Sequence, residues 1–215
     1  MSDKLRGQVL SGLRWVAIGR LGGQVINWLA TLVVIRLLSP ADYGLMSIAI
    51  IFIGFFKLFS ELGLTPAVVQ ARDLDEELLP DIFGAILVFT LLIVFLLYSG
   101  APLIGTFFDE PAVVAVIQVL SLQFVFTGFT VLPEALLQRA MHFRGWSLAM
   151  FGANMANSAT TLALAWLGYG VWALVWGNLV SLALQAVVLN LIVRRIPVPR
   201  LRLGRVWALL RFGGT

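Results

Sequence analysis

The chain has 215 residues, of which 60% are hydrophobic and only 12% are charged, and its mean hydropathy is +0.96. Soluble domains carry about 25% charged residues, so this composition excludes an ordinary soluble protein and indicates a polytopic membrane protein. The net charge is +4, but most basic residues flank apolar stretches, so no nucleic-acid partner is expected. Cysteine is absent, which excludes disulfides, thiolate catalysis and cysteine metal sites.

Six apolar stretches are long enough to cross a bilayer, since about 20 helical residues span its hydrocarbon core. They predict an all-α protein with six transmembrane helices in one lobe. Before them, residues 1–14 form an amphipathic segment that we expect on the membrane surface. After them, residues 194–215 contain a basic cytoplasmic linker and the start of a truncated seventh helix. The predicted spans are residues 15–38, 43–71, 82–104, 112–133, 147–167 and 171–193.

Three connections between the spans carry local signals. Pro40 ends the first span, and Ser39 and Asp42 are placed to cap the second helix. The fourth span is expected to end at Pro133, and residues 134–146 are amphipathic and basic, which suits an interfacial helix or a structured loop. The last two spans are joined by residues 168–170 alone, which predicts an antiparallel hairpin.

The basic residues also predict the orientation, because cytoplasmic segments of membrane proteins are enriched in Lys and Arg. With the N-terminus in the cytoplasm, twelve of the 15 Lys and Arg residues fall on inside segments, and Arg36 alone falls outside. Arg20 and Lys57 lie within spans. Both termini are therefore predicted to be cytoplasmic.

The first span carries polar residues on one helical face. At about 100° per residue, four side chains fall within roughly a 60° arc: Arg20, Gln24, Asn27 and Thr31. An arginine inside a bilayer costs about 2.5–3.5 kcal/mol, so we expect it to face protein or a water-filled cavity. The uncharged residues could equally pack helix against helix.

The second span adds Lys57 and Glu61, which are one helical turn apart and at a depth similar to that of Arg20. Two cations and one carboxylate give a net positive cluster, which favours an anionic ligand such as a phosphate. A self-neutralising ion pair that only stabilises the helices is the alternative. Glu61 is also the only acid that the predicted spans place deep in the membrane, which weakly disfavours a cation-coupled drug antiporter.

The fifth and sixth spans carry uncharged polar stripes at helical spacing. They are Asn154, Asn157, Ser158 and Thr161 in the fifth span, and Asn178, Ser181 and Gln185 in the sixth. For any single residue, an interhelical hydrogen bond is the simpler explanation. Three polar faces among six helices nevertheless favour a hydrophilic cavity. Its predicted lining is Gln24, Asn27, Thr31, Asn154, Asn157 and Asn178.

Patterns for catalysis or metal binding are not found in the sequence. The one histidine, His142, falls in a predicted cytoplasmic loop. No metal-ligand cluster, glycine-rich phosphate loop or serine–base arrangement can be assembled. We therefore expect a protein that is not an enzyme and uses no metal or cofactor.

Five runs, spread in order along the chain, together resemble the polysaccharide biosynthesis flippase family of the multidrug/oligosaccharidyl-lipid/polysaccharide exporter superfamily. The runs are RLLSPADYGLMSIAIIF (36–52), FFKLFSELGLTPAVVQ (55–70), FFDEPAVV (107–114), PEALLQRAMHFR (133–144) and GYGVWALV (168–175). LLRFG at 209–213 resembles the opening of the family's second half. The branch that includes colanic acid and teichuronic acid exporters is the one that the chain resembles in particular.

The resemblance implies the N-terminal lobe of a multidrug-exporter-like flippase fold, paired around a central cavity with a second six-helix lobe, either a C-terminal half or a second copy. It implies alternating-access transport of a polyprenyl-diphosphate-linked oligosaccharide across the bacterial cytoplasmic membrane, for exopolysaccharide, O-antigen or capsule-type polysaccharide. Arg20 and Lys57 would then bind the diphosphate, Glu61 would be a counter-ion or coupling-ion site, and the asparagines would contact sugar hydroxyls. The alternatives are a cation-coupled drug or metabolite exporter of the superfamily and a non-transporting membrane assembly subunit.

Overall fold

The computed structural model describes residues 30–63 and 79–193, together with residues 24, 28 and 199, and of residues 59–63 it describes the backbone alone. The predicted surface segment 1–14 and, apart from residue 199, the predicted linker 194–215 lie outside the described residues.

Every element in the described part of the chain is an α-helix. Helix α1 covers residues 30–37. The others are α2 (Pro40–Gly63), α3 (Leu79–Phe107), α4 (Pro111–Ser121), α5 (Gln123–Arg139), α6 (Phe143–Trp166) and α7 (Val171–Val193). Among the described residues, four stretches are long and apolar enough to cross a membrane: Pro40–Leu58, Leu79–Phe107, Pro111–Arg139 and Val171–Val193. The prediction of an all-α, polytopic membrane protein is confirmed, whereas the count of six spans and the orientation of the termini stay predictions.

The turn between α1 and α2 shows how the local sequence starts a helix. Pro40 has a fixed φ that suits the first helical position. Ser39 Oγ accepts a hydrogen bond from the Asp42 N–H at 3.2 Å, and the Asp42 carboxylate accepts one from the Ser39 N–H at 2.9 Å. This reciprocal capping box confirms the predicted caps. The second carboxylate oxygen of Asp42 accepts a hydrogen bond from the Val171 N–H at 2.8 Å, which ties the turn to the start of α7.

The hairpin between α6 and α7 is also present as predicted. Gly168 and Gly170 have φ angles of 79° and 55°, which side chains disfavour. Further along, the two helices approach closely at Gly177, where a Cβ would collide with Thr161 Oγ1 and lie 2.8 Å from Asn157 Oδ1. Helix α7 contacts α2, α4, α5 and α6, so it occupies the centre of the described bundle.

Two helices continue through a proline, α3 through Pro102 and α5 through Pro133. Proline has no N–H, so the carbonyl four residues earlier loses its helical partner. In both helices an amide side chain from a neighbouring helix bonds that carbonyl. Gln118 Nε2 donates to the Tyr98 carbonyl at 3.3 Å, and Asn190 Nδ2 donates to the Phe129 carbonyl at 2.9 Å. Such replacement partners are what allow prolines inside transmembrane helices.

The prediction of a helix end at Pro133 is wrong, whereas the interfacial position of residues 134–146 stays a prediction. Helix α5 continues to Arg139, and α6 begins at Phe143. The physical reason is the bond from Asn190, because it satisfies the carbonyl that the proline would otherwise leave unpaired. Residues 134–139 therefore belong to the same apolar stretch, Pro111–Arg139, that is long enough to cross a membrane.

We expect the Asn190–Phe129 bond to matter only while residue 133 is a proline. Asn190→Leu should lower the free energy of unfolding by about 1–2 kcal/mol, because the Phe129 carbonyl loses its partner within the helix bundle. In a Pro133→Ala background the helix regains its own N–H, and the same Asn190 substitution should cost close to nothing. The free energy of unfolding is measured in mixed lipid–detergent micelles for the wild type, the two single variants and the double variant. If Asn190→Leu destabilises the wild type and the Pro133→Ala variant equally, the bond does not serve to replace the N–H that proline lacks.

A methyl group at Gly177 should force α6 and α7 apart. We expect Gly177→Ala to lower the free energy of unfolding by about 1–3 kcal/mol, the usual cost of overpacking. Gly152 in α6 is the matched control, since a Cβ there meets no atom within 4 Å. Gly152→Ala should be neutral or stabilising by up to about 1 kcal/mol, because alanine favours the helix. Equal effects of the two substitutions would exclude tight packing at Gly177.

Candidate functional site

A cavity of about 380 Å³ lies between α1, α2, α6 and α7, and the junction of α4 and α5 closes one side. Helix α2 contributes lining residues at helical spacing from Tyr43 to Lys57. These two residues are fourteen positions apart, which is about 21 Å along a helix axis. The cavity therefore follows most of the described length of α2.

One side of the cavity is polar. The polar lining residues are Thr31, Tyr43, Lys57, Gln123, Asn157, Ser158, Thr161 and Asn178. Asn178 Nδ2 donates to Gln123 Oε1 at 3.0 Å, across the contact of α7 with α5. Within α6, Thr161 Oγ1 donates to Asn157 Oδ1 at 3.2 Å. These bonds fix the positions of the amide groups in the wall.

Three buried polar atoms of the lining residues have no hydrogen-bond partner within the described part of the chain: Tyr43 Oη, Gln123 Nε2 and Ser158 Oγ. A buried polar group without a partner costs about 1–3 kcal/mol, so such groups are normally satisfied. Each of these atoms has almost no accessible surface, so it lies inside the wall, and its side chain must rearrange before water or a ligand can reach it. The amides and hydroxyls among the lining residues are suited to a ligand that carries hydroxyl groups.

Lys57 is the only charged residue among the described lining residues. An ammonium group in the lining can donate charge-assisted hydrogen bonds to an anionic group of a ligand. The cavity therefore combines a cation with neutral hydrogen-bonding groups.

Four of the residues predicted from the sequence line this one cavity: Thr31, Lys57, Asn157 and Asn178. Two other predicted residues lie outside the lining, since Gln24 is exposed elsewhere and Asn154 is half-buried within the bundle. Arg20, Asn27 and the side chain of Glu61 lie outside the described residues, so the cluster of Arg20, Lys57 and Glu61 stays a prediction.

Sequence reasoning missed two of the lining residues, Tyr43 and Gln123. The sequence identifies Tyr43 only as the start of the second predicted span. Gln123 has a usable signal, because it is an amide in the middle of the fourth predicted span, residues 112–133. Ser158 and Thr161 belong to the predicted stripe of the fifth span, and here they share the wall with Asn157.

Glu134, which the sequence places in the amphipathic segment 134–146, lies instead within helix α5. It is mostly buried, and Gln185 Nε2 of α7 donates to Glu134 Oε1 at 2.7 Å. The Trp146 side chain of α6 also interacts with this carboxyl. The stretch Pro111–Arg139, which is long and apolar enough to cross a membrane, therefore contains an acid as well. This weakens the argument from acid content against a cation-coupled transporter.

The chain is similar to several bacterial proteins that are named for the biosynthesis of succinoglycan, lipopolysaccharide or teichuronic acid. The chain is 25% identical over 204 residues to the succinoglycan biosynthesis transport protein ExoT of Rhizobium meliloti (strain 1021), covering 95% of this chain and 41% of ExoT. It is 23% identical over 211 residues to the lipopolysaccharide biosynthesis protein WzxC of Escherichia coli (strain K12), covering 97% and 43%. It is 21% identical over 150 residues to the teichuronic acid biosynthesis protein TuaB of Bacillus subtilis (strain 168), covering 70% and 31%.

These relatives are longer proteins, and the chain spans about two fifths or less of their length. No solved structure matches the chain significantly. The sequence model of the family described as polysaccharide biosynthesis protein matches residues 33–215, which is well over half of the chain. As the ordered sequence runs predicted, the chain belongs to the polysaccharide biosynthesis protein family.

Proposed function

We propose that the chain is one lobe of an exporter that moves a polyprenyl-diphosphate-linked oligosaccharide across the bacterial cytoplasmic membrane by alternating access. The names of two relatives support polysaccharide export, since ExoT is a succinoglycan biosynthesis transport protein and WzxC is a lipopolysaccharide biosynthesis protein. The choice of a lipid-linked sugar as substrate is supported by the chemistry of the cavity.

The observation that carries the proposal is the set of amide and hydroxyl side chains in the cavity lining, which includes Gln123, Asn157 and Asn178. Each hydroxyl of a sugar donates one hydrogen bond and accepts others. In hydrocarbon those hydroxyls would lose all of their partners, at a cost of about 2–7 kcal/mol for each bare group. A wall of amides and hydroxyls replaces the lost water, and the sugar in turn satisfies the wall.

Lys57 supplies the positive charge that a diphosphate requires. Hydrogen bonds between ammonium groups and phosphate oxygens are charge-assisted, and they are about twice as strong as neutral ones. In this proposal Arg20 joins Lys57 at the diphosphate, Glu61 is their counter-ion or a coupling-ion site, and Asn27 contacts the sugar together with Asn157 and Asn178.

The size of the cavity and the surface of α2 support pairing with a second lobe. The volume of about 380 Å³ lies within the range of about 300–1,000 Å³ found for small-molecule sites, and it accommodates only part of an oligosaccharide. Beside the lining residues, α2 exposes Ile51, Phe55 and Leu58. A second six-helix lobe, from the same polypeptide or a second copy, would cover α2 and enlarge the cavity, and rocking of the two lobes would expose it to each side in turn.

An exporter of cationic drugs fits the cavity less well. Proteins bind organic cations with carboxylates or aromatic faces. The described lining contains no carboxylate and only one aromatic residue, Tyr43, while its single charge is the positive Lys57. The geometry therefore favours an anionic, hydroxyl-rich substrate.

Lys57→Gln should slow export at least about tenfold, because losing one charge-assisted hydrogen bond costs about 1.5–3 kcal/mol. The measurement is the polysaccharide output of the source bacterium with the substitution in its chromosomal gene, divided by the amount of the protein in the membrane. Lys57→Arg should retain most of the output, because it keeps the charge.

The matched control is Arg36→Gln, which removes an exposed cation from α1 outside the cavity lining. It should export at close to the wild-type level. Wild-type output from both Lys57→Gln and Arg20→Ala would exclude the diphosphate assignment.

A further inference from the structure

We propose that Glu134 is a proton-binding site where α5, α6 and α7 meet, and that loading of this carboxyl with a proton regulates the export cycle. The regulatory part rests on the proposed function, whereas the existence of the site does not. No residue of this site lines the cavity described above.

The geometry places a carboxyl inside the spanning part of α5. Glu134 is five residues, or about 7.5 Å of helix, before the end of the stretch Pro111–Arg139. The groups found around it are neutral: the Gln185 amide donates to it at 2.7 Å, and the Trp146 side chain interacts with it. An ionised carboxylate in a membrane interior is costly, and binding a proton removes the charge.

Charged groups are few on the described helices that pack against α5. Helices α4 and α7 contain none within their bounds. Helix α3 contributes Asp81, which is buried and has one oxygen without a partner among the described residues. Around the turn between α5 and α6, three basic or titratable side chains are exposed: Arg139, His142 and Arg144. Glu134 thus lies deeper than these three side chains.

A polar stripe on α7 connects this carboxyl with the cavity wall. Asn178, Ser181 and Gln185 recur at helical spacing, and the first of them bonds Gln123 in the wall. Asn178 and Gln185 both bond from α7 to α5. A shift of α7 that alters the Gln185–Glu134 bond therefore also affects the Asn178–Gln123 bond.

The proton changes the charge and the hydrogen-bonding capacity of the carboxyl. In the ionised form the group only accepts, and it accepts from the Gln185 N–H. In the protonated form one oxygen carries an O–H that can donate, while the other oxygen can still accept from Gln185. The proton comes from water and returns to water, and no other covalent bond is made or broken. Loading and release therefore change the charge at the α5–α7 contact that also joins Asn178 to Gln123.

Dicyclohexylcarbodiimide, an apolar reagent that adds to protonated carboxyls, tests the site directly. The full chain in phosphatidylethanolamine–phosphatidylglycerol vesicles is treated over a series of pH values, and the adducts are located by peptide mass spectrometry. We expect an adduct on Glu134 whose yield falls about tenfold per pH unit once the carboxyl ionises. No adduct on Glu134, or a yield that does not depend on pH, would overturn the proposal.

Glu110 provides the matched control, because its side chain is exposed at the start of α4 and makes no capping bond. Glu110→Gln should leave the labelling of Glu134 unchanged, and Glu134→Gln should abolish that adduct. If Glu134→Gln does not fold, the positions and pH dependence of the adducts on the wild-type chain still show whether Glu134 binds a proton. The labelling does not measure export, so it is independent of the outcome for Lys57. An export rate that keeps its wild-type pH dependence in Glu134→Gln would overturn the regulatory part.

Discussion

Hydrocarbon offers no hydrogen-bond partners, so every polar group of a spanning helix must be satisfied within the protein or by water in an enclosed space. In this chain, amide side chains on one helix repeatedly satisfy groups on another. Gln118 and Asn190 bond carbonyls that two prolines leave free, and Asn178 bonds Gln123 in the cavity wall. The architecture depends on these bonds, because without them α3 and α5 would contain bare carbonyls within the membrane.

Most of these hydrogen bonds between helices lie in the contact between α5 and α7. Three amide side chains of α7 reach α5, while Leu179 and Leu189 of the same helix are buried. The first amide belongs to the cavity wall, the second holds the Glu134 carboxyl, and the third allows α5 to pass Pro133. One helix pair therefore joins the cavity wall to the Glu134 carboxyl, and a displacement of α7 changes both contacts.

The sequence predicts the features that depend on neighbouring residues along the chain. Apolar runs identify the spanning helices, the Ser39–Asp42 spacing identifies a capping box, and the polar stripes bring Asn157 and Asn178 to the same cavity. Prediction from the sequence fails where a residue far along the chain determines the local structure. Pro133 ends a helix by local rules, but Asn190 overrides them from 61 residues beyond the carbonyl that it bonds. Periodicity likewise cannot separate Asn157, which lines the cavity, from Asn154, which does not, because both fit the same stripe.

The central claim is that the space lined by Thr31, Lys57 and the amides contains water and admits the polar part of a lipid-linked sugar. The chain has no cysteine, so single cysteines can be introduced and treated with a water-soluble thiol reagent in vesicles. Thr31→Cys lies in the cavity lining, whereas its neighbour Leu32 is 64% exposed outside that lining. The account predicts that Thr31→Cys reacts, that lipid-linked oligosaccharide slows the reaction, and that Leu32→Cys does not react, because we expect that position to face lipid. Equal inertness of Thr31→Cys and Leu32→Cys would contradict it.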